Sequence, residues 1–220
     1  MICTRDGIEI PQTLDDWCDP RRTALLVYDM QIGICRQVAD AAAIVERTAR
    51  LLEAARFAGM RVAFTRHLSL PRAWMGMSQL RMAMNWQRSS DPDAVQPWFA
   101  RDAESTAIVP ELAPRADEAV FDKITMSAFD STALGLALRD CGVHAVAIAG
   151  IALEIGIEPT VRQAADNGFA ALVIEDACGF GNREARDRAM ATLRYVGDAV
   201  VTDVAGLCAA LAWRDHRVSG

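Results

Sequence analysis

Apolar residues follow two rhythms along this chain. Short unbroken runs such as "TALLVYD" (Thr23 to Asp29), "RVAFTR", "AVAIAGI" and "AALVIEDA" read as strands buried on both faces. "AVFDK" (Ala119 to Lys123) and "AVVTD" are shorter versions of the same pattern. Between them, apolar positions recur at helical spacing. "VADAAAIVERTARLLEAARFAG" stops at Gly59, "STALGLALRDCG" at Gly142 and "GIEPTVRQAADNG" at Gly168. "NREARDRAMATLRYVG" and "VAGLCAALAWRDH" complete the set. Strand and helix alternate about six times, which calls for an α/β fold: a mostly parallel sheet with helices on both faces. In such a sheet ligands bind beyond the carboxyl ends of the strands. Asp29, Lys123 and the turn from Gly150 to Gly156 all fall at those ends, so they are expected to meet.

The stretch from His67 to Phe99 breaks the alternation. It holds four of the nine methionines (Met75, Met77, Met82, Met84) and three of the five tryptophans (Trp74, Trp86, Trp98). It reads as an insertion at about 67–99 with one short helix, lying over the strand ends. Met and Trp give apolar surface of adaptable shape. That suits a packing segment or subunit contact as well as it suits a pocket wall.

The length of 220 residues is enough for one domain, taken as 1–220, with a large core. A net charge of −6 argues against nucleic acid or an anionic membrane as the main partner. No signal peptide or membrane span is legible, so a cytoplasmic location is expected. Six cysteines without C-x-x-C spacing read as free buried thiols in a reducing compartment. The three histidines, His67, His144 and His216, form no i, i+4 pair, and no metal or cofactor is expected. His67 is a candidate for the pocket; the other two read as surface residues.

An acid and a lysine carry the candidate chemistry, together with one turn. Asp29 ends the first strand and reads either as a cap or as an acid/base. Lys123 follows a short strand and gains meaning only beside Asp29. In "AGIALEIG" (Ala149 to Gly156), Gly150 permits close backbone approach and Gly156 opens a helix. Unsatisfied N–H groups at a helix start attract negative charge and can form an oxyanion hole. "ACGFGN" (Ala177 to Asn182) looks like a phosphate loop but lacks G-x-x-x-x-G-K-S/T, so it reads as a turn with Asn182 as helix N-cap.

Asp29 at the end of strand one, Lys123 in "FDKITMSAF" and "AGIALEIGIEPTVRQAADNGF" together resemble the isochorismatase-like hydrolase superfamily, from about Thr23 to Leu211. The resemblance implies a three-layer α/β/α fold with a six-stranded parallel sheet, assembled as homodimers or homotetramers. Its cysteine hydrolases use an Asp–Lys–Cys triad. Asp29 and Lys123 match the first two members, and Gly156 stands at the cysteine position. The resemblance also implies a cis peptide at Ile151–Ala152 and an oxyanion hole made by the N–H groups of Ala152 and residue 156. The true isochorismatases likewise carry glycine there, in a turn resembling G-V-Y-A-H-I-G. Here Ala152 replaces the aromatic residue and Glu154 the histidine, while "EPTVRQAADNGF" looks more like the amidase branch.

The function implied is hydrolysis of a small organic molecule without a cysteine nucleophile. The missing side chain is expected to leave space for a water near Asp29, and no nearby residue stands in for the thiol. Cys35, placed in a loop, is no substitute. Asp29 would act as base for that water or as acid toward an enol ether, with Lys123 orienting it and stabilising charge. His67, Trp74, Trp86, Phe129 and Glu154 are the candidate pocket residues. The alternatives are an anion-binding protein built on Lys123 and the helix start, or an amidase-type cysteine hydrolase whose cysteine became glycine. On this reading Gly156→Cys alone would create a reactive thiol.

Overall fold

The computed structural model describes the backbone of residues 2–218 and the side chains of residues 2–212. His216 therefore lies outside the described side chains. The first element is one that the apolar pattern did not reveal. Strand β1 (Ile2–Arg5) pairs antiparallel with β2 (Ile8–Pro11) through Asp6 and Gly7, both at positive φ. Asp-Gly is a favoured pair for such a two-residue connection. A one-turn helix, α1 (Leu14–Trp17), follows, closed by a capping box between Thr13 and Asp16.

Six strands form a single parallel sheet: β3 (Thr23–Tyr28), β4 (Arg61–His67), β5 (Ala119–Lys123), β6 (Ala145–Ile151), β7 (Ala170–Gly179) and β8 (Ala199–Thr202). Their spatial order is β5-β4-β3-β6-β7-β8. The direction of winding reverses between β3 and β6, and in open α/β sheets the crevice at that reversal receives the ligand. The two central strands are buried at every position, as their unbroken apolar runs required.

Side-chain alternation sorts β3 into two sets. Leu25 and Val27 pack with Ile44, Leu51 and Leu52 of α3 (Ala41–Phe57) and Leu207 and Leu211 of α8 (Val204–Val218). Ala24, Leu26 and Tyr28 face the other layer, with Leu138 of α5 (Leu134–Asp140), Val161 of α6 (Glu158–Asp166) and Leu193 of α7 (Arg183–Val196). Tyr28 is thus aimed toward the start of α6 by strand geometry alone. The helices α3, α5 and α6 stop just short of the expected glycines, and the Asn182 side chain caps α7 by accepting from the Ala185 N–H.

The 67–99 segment has one α-helix, α4 (Met77–Gln87), and a small core of its own made by Met75, Ala83 and Val95. Its two ends are tied together. Ser69 N–H donates to the Phe99 carbonyl, and Phe99 N–H to the Ser69 hydroxyl. Cys3, Cys35, Cys141, Cys178 and Cys208 are free thiols, but Cys3 and Cys141 are exposed rather than buried. Cys35 closes the one-turn helix α2 (Ile32–Cys35) instead of lying in a loop, and burial pushes its thiol up to about 11. Among the described residues no helix is long and apolar enough to cross a membrane.

Candidate active site

The chain leaves β3 sharply at Asp29, whose φ of 47° is a left-handed conformation that side chains disfavour. Thr65 of β4 holds that conformation from both directions. Its hydroxyl donates to Asp29 Oδ1 at 2.6 Å and accepts from the Asp29 N–H at 3.2 Å. Lys123 comes from β5, two strands away. Its side chain passes β4 and places Nζ 2.6 Å from Asp29 Oδ2, with both side chains almost fully buried. The same ammonium donates to Tyr28 Oη at 2.8 Å and to the Thr125 carbonyl at 3.1 Å. An ammonium has three N–H groups, so all three are committed within the protein. Lys123 orients Asp29 but has no donor to spare for a bound anion.

The position opposite this pair is already filled. A Cβ at residue 156 would lie 1.9 Å from Tyr28 Oη and 2.3 Å from Cζ. The expected space for a water in place of a thiol is therefore absent; the phenol occupies it. Tyr28 accepts from Lys123 and donates to the Met126 carbonyl. Burial, and the negative charge of Asp29 beside it, push the phenol well above its ordinary range, so it stays neutral. Gly150, at φ 136°, meets the same residue from behind: a Cβ there would lie 2.0 Å from the Tyr28 carbonyl oxygen.

The turn itself also departs from expectation. Residues Leu153–Ile157 form one turn of π-helix, and the N–H groups of Gly156 and Ile157 both donate to the Ala152 carbonyl, at 3.0 and 3.1 Å. The Gly156 donor assigned to an oxyanion hole is thus already engaged. The Ile151–Ala152 peptide is cis, and Ala152 lines the cleft.

That cleft encloses about 420 Å³ above Asp29, at the reversal between β3 and β6. Trp86, Trp98, Phe99 and His67 line one side, Ile34 and Val38 are also in its lining, and Arg88 and Asn85 contribute polar groups. His67 is fixed through its backbone: buried Gln31 accepts from the His67 N–H and donates to the His67 carbonyl. Its ring meets Trp86 and Phe99 edge to face, at centroid distances of 6.4 and 5.9 Å. Burial lowers its pKa, with Lys123 adding to the effect and Asp29 opposing it.

Three expected pocket residues stand elsewhere. Trp74 is 77% exposed, because the turn before α4 directs it to the surface. Phe129 stacks on Phe169 at 5.6 Å inside the α5–α7 core. Glu154 turns away from the cleft: its Oε1 accepts from the N–H groups of Gly181 and Asn182, at 2.7 and 2.8 Å. A helix N-terminus attracts negative charge, and here the protein's own carboxylate takes that place. The "ACGFGN" loop is thus occupied from within; Gly181, which Glu154 holds, is in the cleft lining, and Glu154 itself is not. His144 is exposed, as expected, and lies beside Arg22.

Reading the sequence missed Tyr28, Thr65, Gln31, Trp98 and Phe99. For Tyr28 a signal existed: it directly precedes Asp29, and strand alternation aims it at the face that carries α6. Among the described residues no group of three or more His, Cys, Asp or Glu is placed to hold a metal.

Residues 23–205 match the isochorismatase domain family. Ureidoacrylate amidohydrolase RutB of Serratia proteamaculans is 28% identical over 178 residues, 72% of this chain and 70% of that protein. Enterobactin synthase component B of Escherichia coli is 27% identical over 200 residues, 89% of this chain and 66% of that protein. A cysteine hydrolase from Pseudomonas syringae pv. phaseolicola superposes with a TM-score of 0.74 at 25% identity, covering 88% of this chain and 93% of that one. An isochorismatase family protein from Burkholderia thailandensis gives 0.71 at 26% identity, covering 87% and 96%. With the match running from the first strand of the sheet into α8, and with the six-stranded parallel sheet these structures share, the chain belongs to the isochorismatase-like hydrolase family.

Proposed function

We propose that this protein hydrolyses a small organic molecule by activating a water with Asp29, without a covalent intermediate on the enzyme. One observation carries the reading: the buried Asp29–Lys123 pair, 2.6 Å apart, lies at the floor of a cleft where position 156 has no side chain. Lys123 donates to Asp29 Oδ2 and Thr65 to Oδ1, and a carboxylate oxygen with one partner keeps a lone pair for another. That lone pair takes a proton from a water in the cleft. The resulting hydroxide adds to the electrophilic carbon, and the proton returns to the leaving nitrogen or oxygen.

Enol-ether cleavage fits less well, because it needs Asp29 protonated against the ion pair. Binding of an anion without turnover also loses support, since the donors assigned to it are committed to Asp29, Tyr28, Thr125 and Ala152. A C–N bond is favoured by the likeness to an amidohydrolase. The rings of Trp86, Trp98 and Phe99 suit a flat apolar body. The reading extends to an assembly of two or more copies, since Trp74 and Met77 leave apolar surface exposed on the insertion. Light scattering at micromolar concentration checks that part.

The test is a panel of amides, ureas and enol ethers incubated with the wild-type protein and with Asp29→Asn. Products are followed by mass spectrometry and binding by thermal shift. Turnover of an amide or urea should fall by about 10²–10⁴-fold in the variant, with binding retained. Thermal shifts without product from any compound would overturn the hydrolytic reading. Full turnover by Asp29→Asn would remove Asp29 from it.

A further inference from the structure

The geometry points to Tyr28 as the residue that determines which kind of nucleophile this site can hold: its ring and any side chain at position 156 exclude each other. The exclusion is steric, and it stands whether or not the cleft turns over its ligand.

The conflict is with the ring itself and not with a mobile tip. The three nearest atoms to a Cβ at residue 156 are Tyr28 Oη, Cζ and Cε1, at 1.9, 2.3 and 2.6 Å. Real Cβ atoms essentially never approach other atoms within 3 Å, so either the ring or the turn has to move. The ring is held on every side. Its hydroxyl accepts from Lys123 and donates to the Met126 carbonyl. The Lys123 ammonium also lies 4.4 Å from the ring centroid, within the range of a cation–π contact. Leu153 and Ile157, fully buried, belong to the same core. Its backbone cannot retreat either, because the β6 strand is packed against it at Gly150.

The turn is held as firmly. Gly156 donates to the Ala152 carbonyl and accepts from the Thr160 hydroxyl at 2.6 Å, and that hydroxyl in turn accepts from the Ala128 N–H. Both glycines of "AGIALEIG" thus serve one residue: Gly150 accommodates the Tyr28 backbone and Gly156 its ring. With the ring in that seat, the room left beside Asp29 is on its cleft side. Restoring a thiol requires two substitutions, and Gly156→Cys alone will not give the reactive centre that the sequence led us to expect.

The experiment compares Gly156→Cys, Tyr28→Val and the double variant by iodoacetamide labelling near neutral pH, mapped by peptide mass spectrometry. Exposed Cys3 and Cys141 serve as internal references. With the ring gone, a thiol introduced at position 156 would sit near Lys123 in the turn leading into α6, an environment that activates thiolates. That thiol should label at least about tenfold faster in the double variant than in Gly156→Cys. A Tyr28→Phe/Gly156→Cys protein should behave like the single variant, because Cζ still blocks the seat. Equal labelling of position 156 in the single and double variants, both folded, would overturn the inference. Should Gly156→Cys fail to fold, the Tyr28→Val and Gly156→Ala cycle decides the matter through thermal midpoints. A double variant whose midpoint loss is smaller than the two single losses added together supports the exclusion, and additive losses refute it.

Discussion

The floor and the wall of the cleft are built on opposite terms. On the floor, Lys123 donates to three acceptors, Asp29 is gripped by Thr65 and Lys123, and Tyr28 is bonded in both directions. Hardly any of this surface reaches solvent. On the wall, Trp86 and Trp98 are each more than a third exposed. Arg88, at φ 51°, has no ion-pair partner there among the described residues. Under the proposed function, the saturated floor, which supports only one arrangement, sets the kind of reaction, and the open, loosely bonded wall, which tolerates replacement, sets which molecule is accepted.

Substitutions on the two sides should separate these roles. The largest effect belongs to the floor. Lys123→Met leaves Asp29 as a buried carboxylate without its cation, and breaking such a pair costs about 3–5 kcal/mol. Urea denaturation at neutral pH should register that loss. A loss below about 1 kcal/mol, the value of an exposed ion pair, would mean that the floor is wetter than its geometry implies. Next comes the wall. Trp86→Ala should raise KM about tenfold, the equivalent of ~1.4 kcal/mol of binding, with kcat little changed because the lost contact is made equally in the ground and transition states. A large fall in kcat would instead place Trp86 with the floor.

The third effect lies at the boundary. His67 is held below its ordinary pKa of 6.5, so the folded protein keeps it neutral while the unfolded chain takes up a proton. Its contribution to stability should be complete above about pH 6.5 and be lost as pH falls from there toward its folded value. The charged groups facing it are Asp29 and Lys123. Urea midpoints measured at pH 7.5 and 5.5 should differ more for wild type than for His67→Asn, and parallel shifts would contradict the assignment. The smallest effect is the control. Trp74→Ala, on the same segment but outside the cleft, should stay within about 0.5 kcal/mol of wild-type stability and leave KM unchanged.

The floor was legible in the sequence where chemistry coincides with strand ends. Asp29 and Lys123 each close a short apolar run, and a parallel sheet brings such ends to one edge. The wall was not legible in the same way. Trp74, Trp86 and Trp98 share a composition, but only the path of α4 and its flanking turns decides that two face the cleft and one faces solvent. Glu154 is a pocket candidate only through the resemblance, which puts it where isochorismatases carry a histidine; its reach to Gly181 and Asn182 depends on where α7 begins. Tyr28 was hidden for a related reason. A strand that is apolar throughout declares its burial, but not which ring will cross to a glycine in a turn far along the chain. The N-terminal hairpin was different, since its Asp6-Gly7 signal is plain; its strands are only four residues each and almost wholly exposed, which leaves little apolar pattern to find.

The interlock of Tyr28 with Gly156 also has a historical consequence. For a chain moving between a form with a side chain at 156 and this one, with Tyr28 against Gly156, the order of changes is constrained. A large ring cannot arrive at residue 28 while a side chain occupies 156, and a side chain cannot arrive at 156 while the ring remains. Any path therefore passes through an ancestor with a small residue at 28 and glycine at 156, carrying a void beside Lys123 and lacking both the thiol and the phenol. Such intermediates are destabilised by the cavity they contain, so the two forms are separated by a valley that single substitutions cross only at a loss. Once a lineage has settled on either side, its chemistry is inherited as a pair of positions and not as one.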